Sequence, residues 1–260
     1  MSTIKKPEEI EIIREGGKIL SGILREVVAM TKPGVGTAEL DDFADKAIVK
    51  AGGRPSFKNF SEGGSTPFPT TLCTSVNEEL VHVPAKPDRK LKDGDIIGLD
   101  IGMEYPFGGG KPGLYTDMAI TVAVGQIHPE TQKLLDVTRK SLDMAIAAIK
   151  PGLDLSIIGK TIQPFVEAAG FSVIRQLVGH GVGYEVHEPP RVHNFFEPKA
   201  PQFELKPGMV LAVEPMVAVG NWQIETLDDG WTIAMADRTL SAHFEHTIVV
   251  TETGAEILTQ

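Results

Sequence analysis

Residues 205–214 read LKPGMVLAVE, and residues 91–100 read LKDGDIIGLD. Both run Leu-Lys-x-Gly, continue as a short apolar segment and end in an acid, Glu214 or Asp100. A carboxylate at the end of an apolar run is costly when it is buried, ionised and alone, so each acid calls for a partner. Finding the pattern twice suggests two halves aiming acids at one place. Alternation along a strand puts Ile96, Gly98 and Asp100 on one face, and Val210, Ala212 and Glu214 on its counterpart. The small residue two positions before each acid leaves room on that face.

Working outward, the flanking segments repeat in the same order. Pro7–Met30 predicts a helix, because Ile10, Ile13, Leu20, Ile23, Leu24 and Val27 recur at helical spacing and Pro7 suits a first turn. Thr37 is placed to cap a second helix with Leu40, Phe43, Ala44, Ala47 and Ile48 on one face. Pro129–Ile149 predicts a third helix. Ser156 is placed to cap a fourth that ends near Ala169, in which Pro164 predicts a kink or a later start. Lys32-Pro33-Gly34 and Lys150-Pro151-Gly152 each separate the longer helix from the shorter one. TDMAITVAV at 116–124 then parallels FEHTIVVT at 244–251. Helix–helix–strand–strand–strand therefore occurs twice, over about 7–125 and 129–251. The expected fold is α+β: two pseudo-symmetric αα-βββ halves with antiparallel sheets, forming one domain over 1–260. Pro55–Thr71, with Phe57, Phe60 and Phe68, reads as an irregular loop, and Glu104–Gly113 as a flexible connection between two strands.

Composition narrows the function. With 42% apolar residues in 260, the chain can build a real core and is not disordered. No apolar run approaches a membrane span, and MSTIKKPEEI lacks the apolar region of a signal peptide, so a cytoplasmic protein is expected. A single cysteine, Cys73, excludes an intrachain disulfide framework and a Cys-rich zinc module. The formal charge of −10, without a basic cluster, argues against nucleic acid as a partner.

Asp117 and Glu245 occupy the matched strand of each half, so four acids stand at duplicated positions in apolar strands. His180 lies in Gly179-His180-Gly181-Val182-Gly183, where glycines allow close backbone approach to a ligand. His187 follows seven residues later, and His82 sits near the end of its own apolar segment. Four converging carboxylates cannot all ionise without cations between them. Four acids and an imidazole, with no thiolate, suit two divalent ions such as Mn, Fe(II), Co or Zn better than a structural zinc. Two such ions would make a bridging water readily ionised near neutral pH, which predicts a hydrolase without naming the bond it cuts.

The order Asp100, Asp117, His180, Glu214, Glu245 resembles the five-ligand set of the pita-bread metallopeptidases, which include methionine aminopeptidases and X-Pro peptidases. Finer matches resemble the type 1 methionine aminopeptidases: FPTTLCTSVNEELVH at 68–82, YTDMAITVAVG at 115–125, GHGVGYEVHEPP at 179–190 and DDGWTIAMADRTLSAHFEHTIVVT at 228–251. The resemblance covers nearly the whole chain. It implies a cytoplasmic enzyme that removes the initiator methionine from nascent polypeptides when the second residue is small. A monomer that works on nascent chains at the ribosome is the accompanying expectation, although the sequence itself specifies neither oligomeric state nor ribosome docking. Asp100, Asp117, His180, Glu214 and Glu245 would be the metal ligands, with Glu214 also the general base. His187 would bind the substrate backbone and stabilise the tetrahedral intermediate, and His82 would contact the scissile group or leaving amine. Phe68, Cys73 and Trp231 match the positions that line the methionine side-chain pocket.

Three departures stand out. His82-Val83-Pro84-Ala85 lacks the glycine that usually follows this histidine, which bears on the backbone at the substrate entrance. Val186 replaces a common aromatic, which predicts a wider or reshaped methionine pocket. The connection Glu104–Gly113 is long and predicts a rim loop. The competing readings are an X-Pro peptidase, expected to carry a further N-terminal domain, and a catalytically silent pita-bread binding protein, expected to have lost ligands.

Overall fold

The computed structural model describes residues 3–61, 66–110 and 112–260. Residues 62–65 of the expected Pro55–Thr71 loop and residue 111 of the expected rim loop lie outside this set. Four helices, α1 (Pro7–Met30), α2 (Thr37–Lys50), α3 (Pro129–Ala148) and α4 (Ile157–Ala168), accompany antiparallel sheets. The architecture is the expected α+β arrangement.

The repeated sequence marks become repeated hydrogen bonds. Gly34 and Gly152, each ending Lys-Pro-Gly, have φ of 90° and 84°. Their N–H groups donate to Leu91 O and Leu205 O, both at 2.8 Å. Leu91 N and Leu205 N return the bond to Val35 O and Leu153 O at 2.9 and 2.8 Å. The glycines of Leu-Lys-x-Gly, Gly94 and Gly208, have φ of 94° and 86° and donate to Val124 O and Val250 O, both at 2.9 Å. A left-handed conformation costs other residues strain, so glycine is required at these four turns. Each half thus starts its acid-bearing strand from the same clasp.

The strands Ile96–Tyr105 and Leu114–Ala123 belong to the first half, and Glu245–Val250 and Val210–Val213 to the second. They lie side by side in one nine-stranded sheet. Side chains alternate between its faces. Ile97, Leu99, Ile101 and Met103 join Leu20, Leu24, Leu40 and Ile48 in an apolar cluster with α1 and α2. Leu211, Val213, Ile248 and Val250 join Leu134, Leu142, Ile158 and Ile162 in a matching cluster with α3 and α4. The opposite face of the same strands is therefore left to the acids.

Several local expectations differ from the structure. Thr37 is the first residue of α2 rather than its cap, and its hydroxyl donates instead to Ala85 O at 2.6 Å. Ser156 makes no side-chain capping bond, because Asp154 Oδ1 accepts from Ser156 N at 3.0 Å and organises that turn. α4 starts where expected and runs through Pro164, with the amphipathic burial of Ile158, Ile162 and Val166 outweighing the missing bond.

Candidate metal centre and active site

Sheet register brings the acids together. Asp100 is paired with Ala119, and Ala119 on its other side with Glu245. Asp117, two residues before Ala119, shares that face. His246 pairs with Val213, so Glu214 stands one step beyond the Val210–Val213 strand, beside Glu245. His180 is paired with Ala212, two residues before Glu214. The ladder does not continue past Glu214, because Pro215 offers no N–H.

Backbone anchors fix these positions. The Thr247 hydroxyl donates to Asp117 O at 2.7 Å and accepts from Asp117 N at 3.0 Å, tying the central strands of the two halves. Asn194 Nδ2 donates to Glu214 O at 2.9 Å. His180 Nδ1 faces Gly181 O at 2.9 Å, so it carries the proton and leaves Nε2 as the free donor to a cation. The glycines around His180 serve the sheet rather than a ligand. A Cβ on Gly179 would lie 2.3 Å from Ala212 O, and one on Gly181 would lie 2.3 Å from Pro189 O.

A cavity of about 550 Å³ is lined by Asp100, Asp117, His180, Glu214 and Glu245, together with His82, His187, Phe68, Cys73 and Trp231. Every metal-ligand, catalytic and substrate-binding candidate named from the sequence thus borders one space. Phe68 and Trp231 meet edge to face at 5.3 Å between ring centroids. His187 stands between Phe60 and His180, edge to face with each, at 5.5 and 4.6 Å. Val186 is buried and is not among the residues that line the cavity. None of the described residues 106–113 borders the cavity either, and Phe107 N donates to Gly52 O at 2.8 Å, which turns that connection toward the end of α2. At the missing glycine, Val83 O accepts from Thr74 N at 2.8 Å and His82 itself takes φ of 59°.

Sequence reasoning missed His243. It is 3% exposed, with Nε2 3.4 Å from Glu214 Oε2 and 3.9 Å from Glu245 Oε2. The available signal was its place two residues before Glu245 in AHFEH, since alternation sends both to one face. Asp229 was missed too. Its carboxylate accepts from Trp231 N and Thr232 N at 3.0 and 2.8 Å and shapes the turn that presents Trp231.

Charge crowding dominates the electrostatics. Burial pushes the Asp100 carboxyl up to about 7, with Glu214 adding to the rise. Burial and the neighbouring carboxylates hold Asp117 and Glu245 well above the usual range. Glu214 is the exception: burial raises it, but His243, His180 and His187 outweigh that and leave it lowered. Burial pulls His243 down, and the Glu214 and Asp100 charges more than restore it. Although His187 is an exposed residue, burial by the surrounding protein and then His180 push it down to about 4. Burial also lowers His82 and raises the Cys73 thiol. Asp100 Oδ1, Asp117 Oδ1, Glu245 Oε1 and His243 Nε2 are buried without a hydrogen-bond partner. Orphaned acceptors of this kind, at acids that repel one another, fit a divalent cation.

A family model for metallopeptidase family M24 matches residues 11–252. The chain belongs to family M24. It is 46% identical over 262 residues to methionine aminopeptidase 1 of Bacillus subtilis, with all of both chains covered. The solved methionine aminopeptidase of Thermotoga maritima superposes with a TM-score of 0.91 at 42% identity, covering 99% of this chain and 98% of that one. The prolidase of Pyrococcus horikoshii shares the fold, at a TM-score of 0.76 and 19% identity, over 63% of its own length. Within M24 the chain therefore groups with the methionine aminopeptidases, as a pita-bread metallopeptidase and hydrolase.

Proposed function

We propose that this chain removes the initiator methionine from nascent polypeptides whose second residue is small, acting as a cytoplasmic monomer and a single catalytic domain. One observation carries this reading most directly. Five metal-type donors and an aromatic, thiol-lined recess border the same cavity in a chain of methionine aminopeptidase likeness.

Asp100, Asp117, His180, Glu214 and Glu245 would hold the metal. Two donor groups, Asp117–His180–Glu245 and Glu214–His243–Glu245, share Glu245, which supports two ions. When bound, divalent cations supply charge neutralisation, polarisation of the scissile carbonyl and acidification of water. The carboxylate donors, with two imidazoles at hand, accept Mn, Fe(II), Co or Zn, and cellular supply decides among them.

The remaining work falls to the protein. Glu214, lowered and therefore ionised at neutral pH, takes the proton from the attacking water as general base and passes it toward the leaving amine. His187, neutral well below pH 7, donates its N–H to the carbonyl oxygen as charge develops there. His82, also favoured neutral, contacts the scissile amide or the leaving amine. Phe68 and Trp231 offer ring edges and faces to a thioether, and Cys73 a protonated, polarisable sulfur.

The test is release of free methionine from Met-Gly, Met-Ala and Met-Lys peptides with Mn, Co or Fe(II). Cleavage of the first two and not the third is expected. Efficient X-Pro cleavage without methionine release would overturn the assignment.

A further inference from the structure

We propose that His243 is a further protein donor to the metal centre, giving it a second imidazole beside His180. Its Nε2 atom is buried, has no hydrogen-bond partner and points between Glu214 and Glu245. Those three residues offer donor atoms that all lie within 4.8 Å of one another, the same spacing as in Asp117, His180 and Glu245.

Distance distinguishes a ligand from a hydrogen-bond partner. A charge-assisted N–H···O bond closes to about 2.7–2.9 Å. Two donors on one cation, each at about 2.0–2.2 Å, stand about 3.0 Å apart at a right angle and about 3.4 Å apart at a tetrahedral angle. His243 Nε2 lies 3.4 Å from Glu214 Oε2, and His180 Nε2 lies 3.5 Å from Glu214 Oε1. Both imidazoles therefore stand off Glu214 by the span of a shared cation.

The position is also built rather than incidental. The Thr121 hydroxyl donates to His243 O at 2.8 Å and accepts from His243 N at 2.9 Å. Phe244 turns the other way, into the apolar cluster beneath α3, so His243 and Glu245 are held on the cavity side together. A second nitrogen donor moves the set from one favouring hard ions toward Fe(II), Co(II) or Zn(II).

This inference rests on the metallopeptidase reading, but metal binding tests it apart from activity. Chelator-treated protein and its His243→Gln and His243→Ala variants would be titrated with Co(II), following affinity and the visible d–d bands. Both variants should bind at least about 10-fold more weakly and show altered bands. Unchanged affinity and bands, with only the pH profile of turnover altered, would overturn the proposal and leave His243 as a partner of Glu214. Pulsed EPR of the Mn(II)-loaded wild-type chain needs no variant. Couplings from two imidazole nitrogens support the proposal, and coupling from one alone defeats it. Two imidazoles without methionine release would sink the peptidase reading while His243 stands.

Discussion

At the scale of single residues, acids that look alike in sequence carry different protons. Asp100, Asp117 and Glu245 crowd one another and are raised, whereas Glu214 faces His180 and His243 and is lowered. A base must be free to accept a proton at working pH, and Glu214 is the acid that meets this condition. Glu214→Gln should lower kcat by about 10²–10⁴-fold. Metal content, measured by mass spectrometry, should fall far less, because the amide oxygen and the other donors remain. Undiminished turnover would remove Glu214 from the base role. The donors were legible in the sequence because an acid inside an apolar strand is anomalous and the anomaly occurred four times. His243 was not, because a histidine before Phe-Glu-His has several ordinary uses. Only the register that sets it beside Glu214, 29 positions earlier in number, gives it one.

Elements show the same division between local and distant information. The span of α1 and the turn glycines follow from local pattern, since spacing and φ preference are properties of a few neighbouring residues. The support of the His187 loop does not, because its partner is 183 residues away. Lys5 is buried, with Nζ 2.7 Å from Glu188 Oε2 and 4.3 Å from the centre of the Tyr184 ring. Glu188 accepts from Tyr184 N and Glu185 N as well, and a Cβ on Gly183 would lie 2.5 Å from Lys5 Cε. The segment before α1 thus clamps the turn that ends in His187. Removing one partner of a buried pair costs about 3–5 kcal/mol. Lys5→Met should fall at the lower end, because Glu188 keeps two N–H donors, and it should also lower kcat through His187. Urea unfolding and steady-state kinetics measure both. A loss under about 1 kcal/mol, the worth of an exposed pair, would show that the clamp does not hold the loop.

For the whole molecule, the metal centre is a seam. Asp100 and Asp117 come from one half and His180, Glu214 and Glu245 from the other, so a cation bound among them bonds the halves together. In the metal-free chain, Asp100, Asp117 and Glu245 are raised above their unfolded values. Their contribution to stability is complete below about pH 4 and is lost as pH rises, for Asp100 through about 7. His187, lowered to about 4, and Glu214, also lowered, have the opposite sign. The His187 contribution is complete above about 6.5 and is lost as pH falls toward 4. At the metal site itself, the three raised carboxylates make the metal-free chain lose stability between pH 4 and 7, while the lowered His82, with His187 and Glu214, works against that loss. A cation reverses the slope, because it binds the ionised carboxylates and so gains affinity as protons leave. At a free concentration about 100 times its Kd, an ion binding only the folded state adds about 2.7 kcal/mol. That corresponds to about 5–10 °C in Tm for a chain of this size. Thermal melts from pH 4 to 7, with chelator or with Mn(II), should therefore converge in acid and separate toward neutrality. Parallel curves would show that the carboxylates are not the cation's ligands.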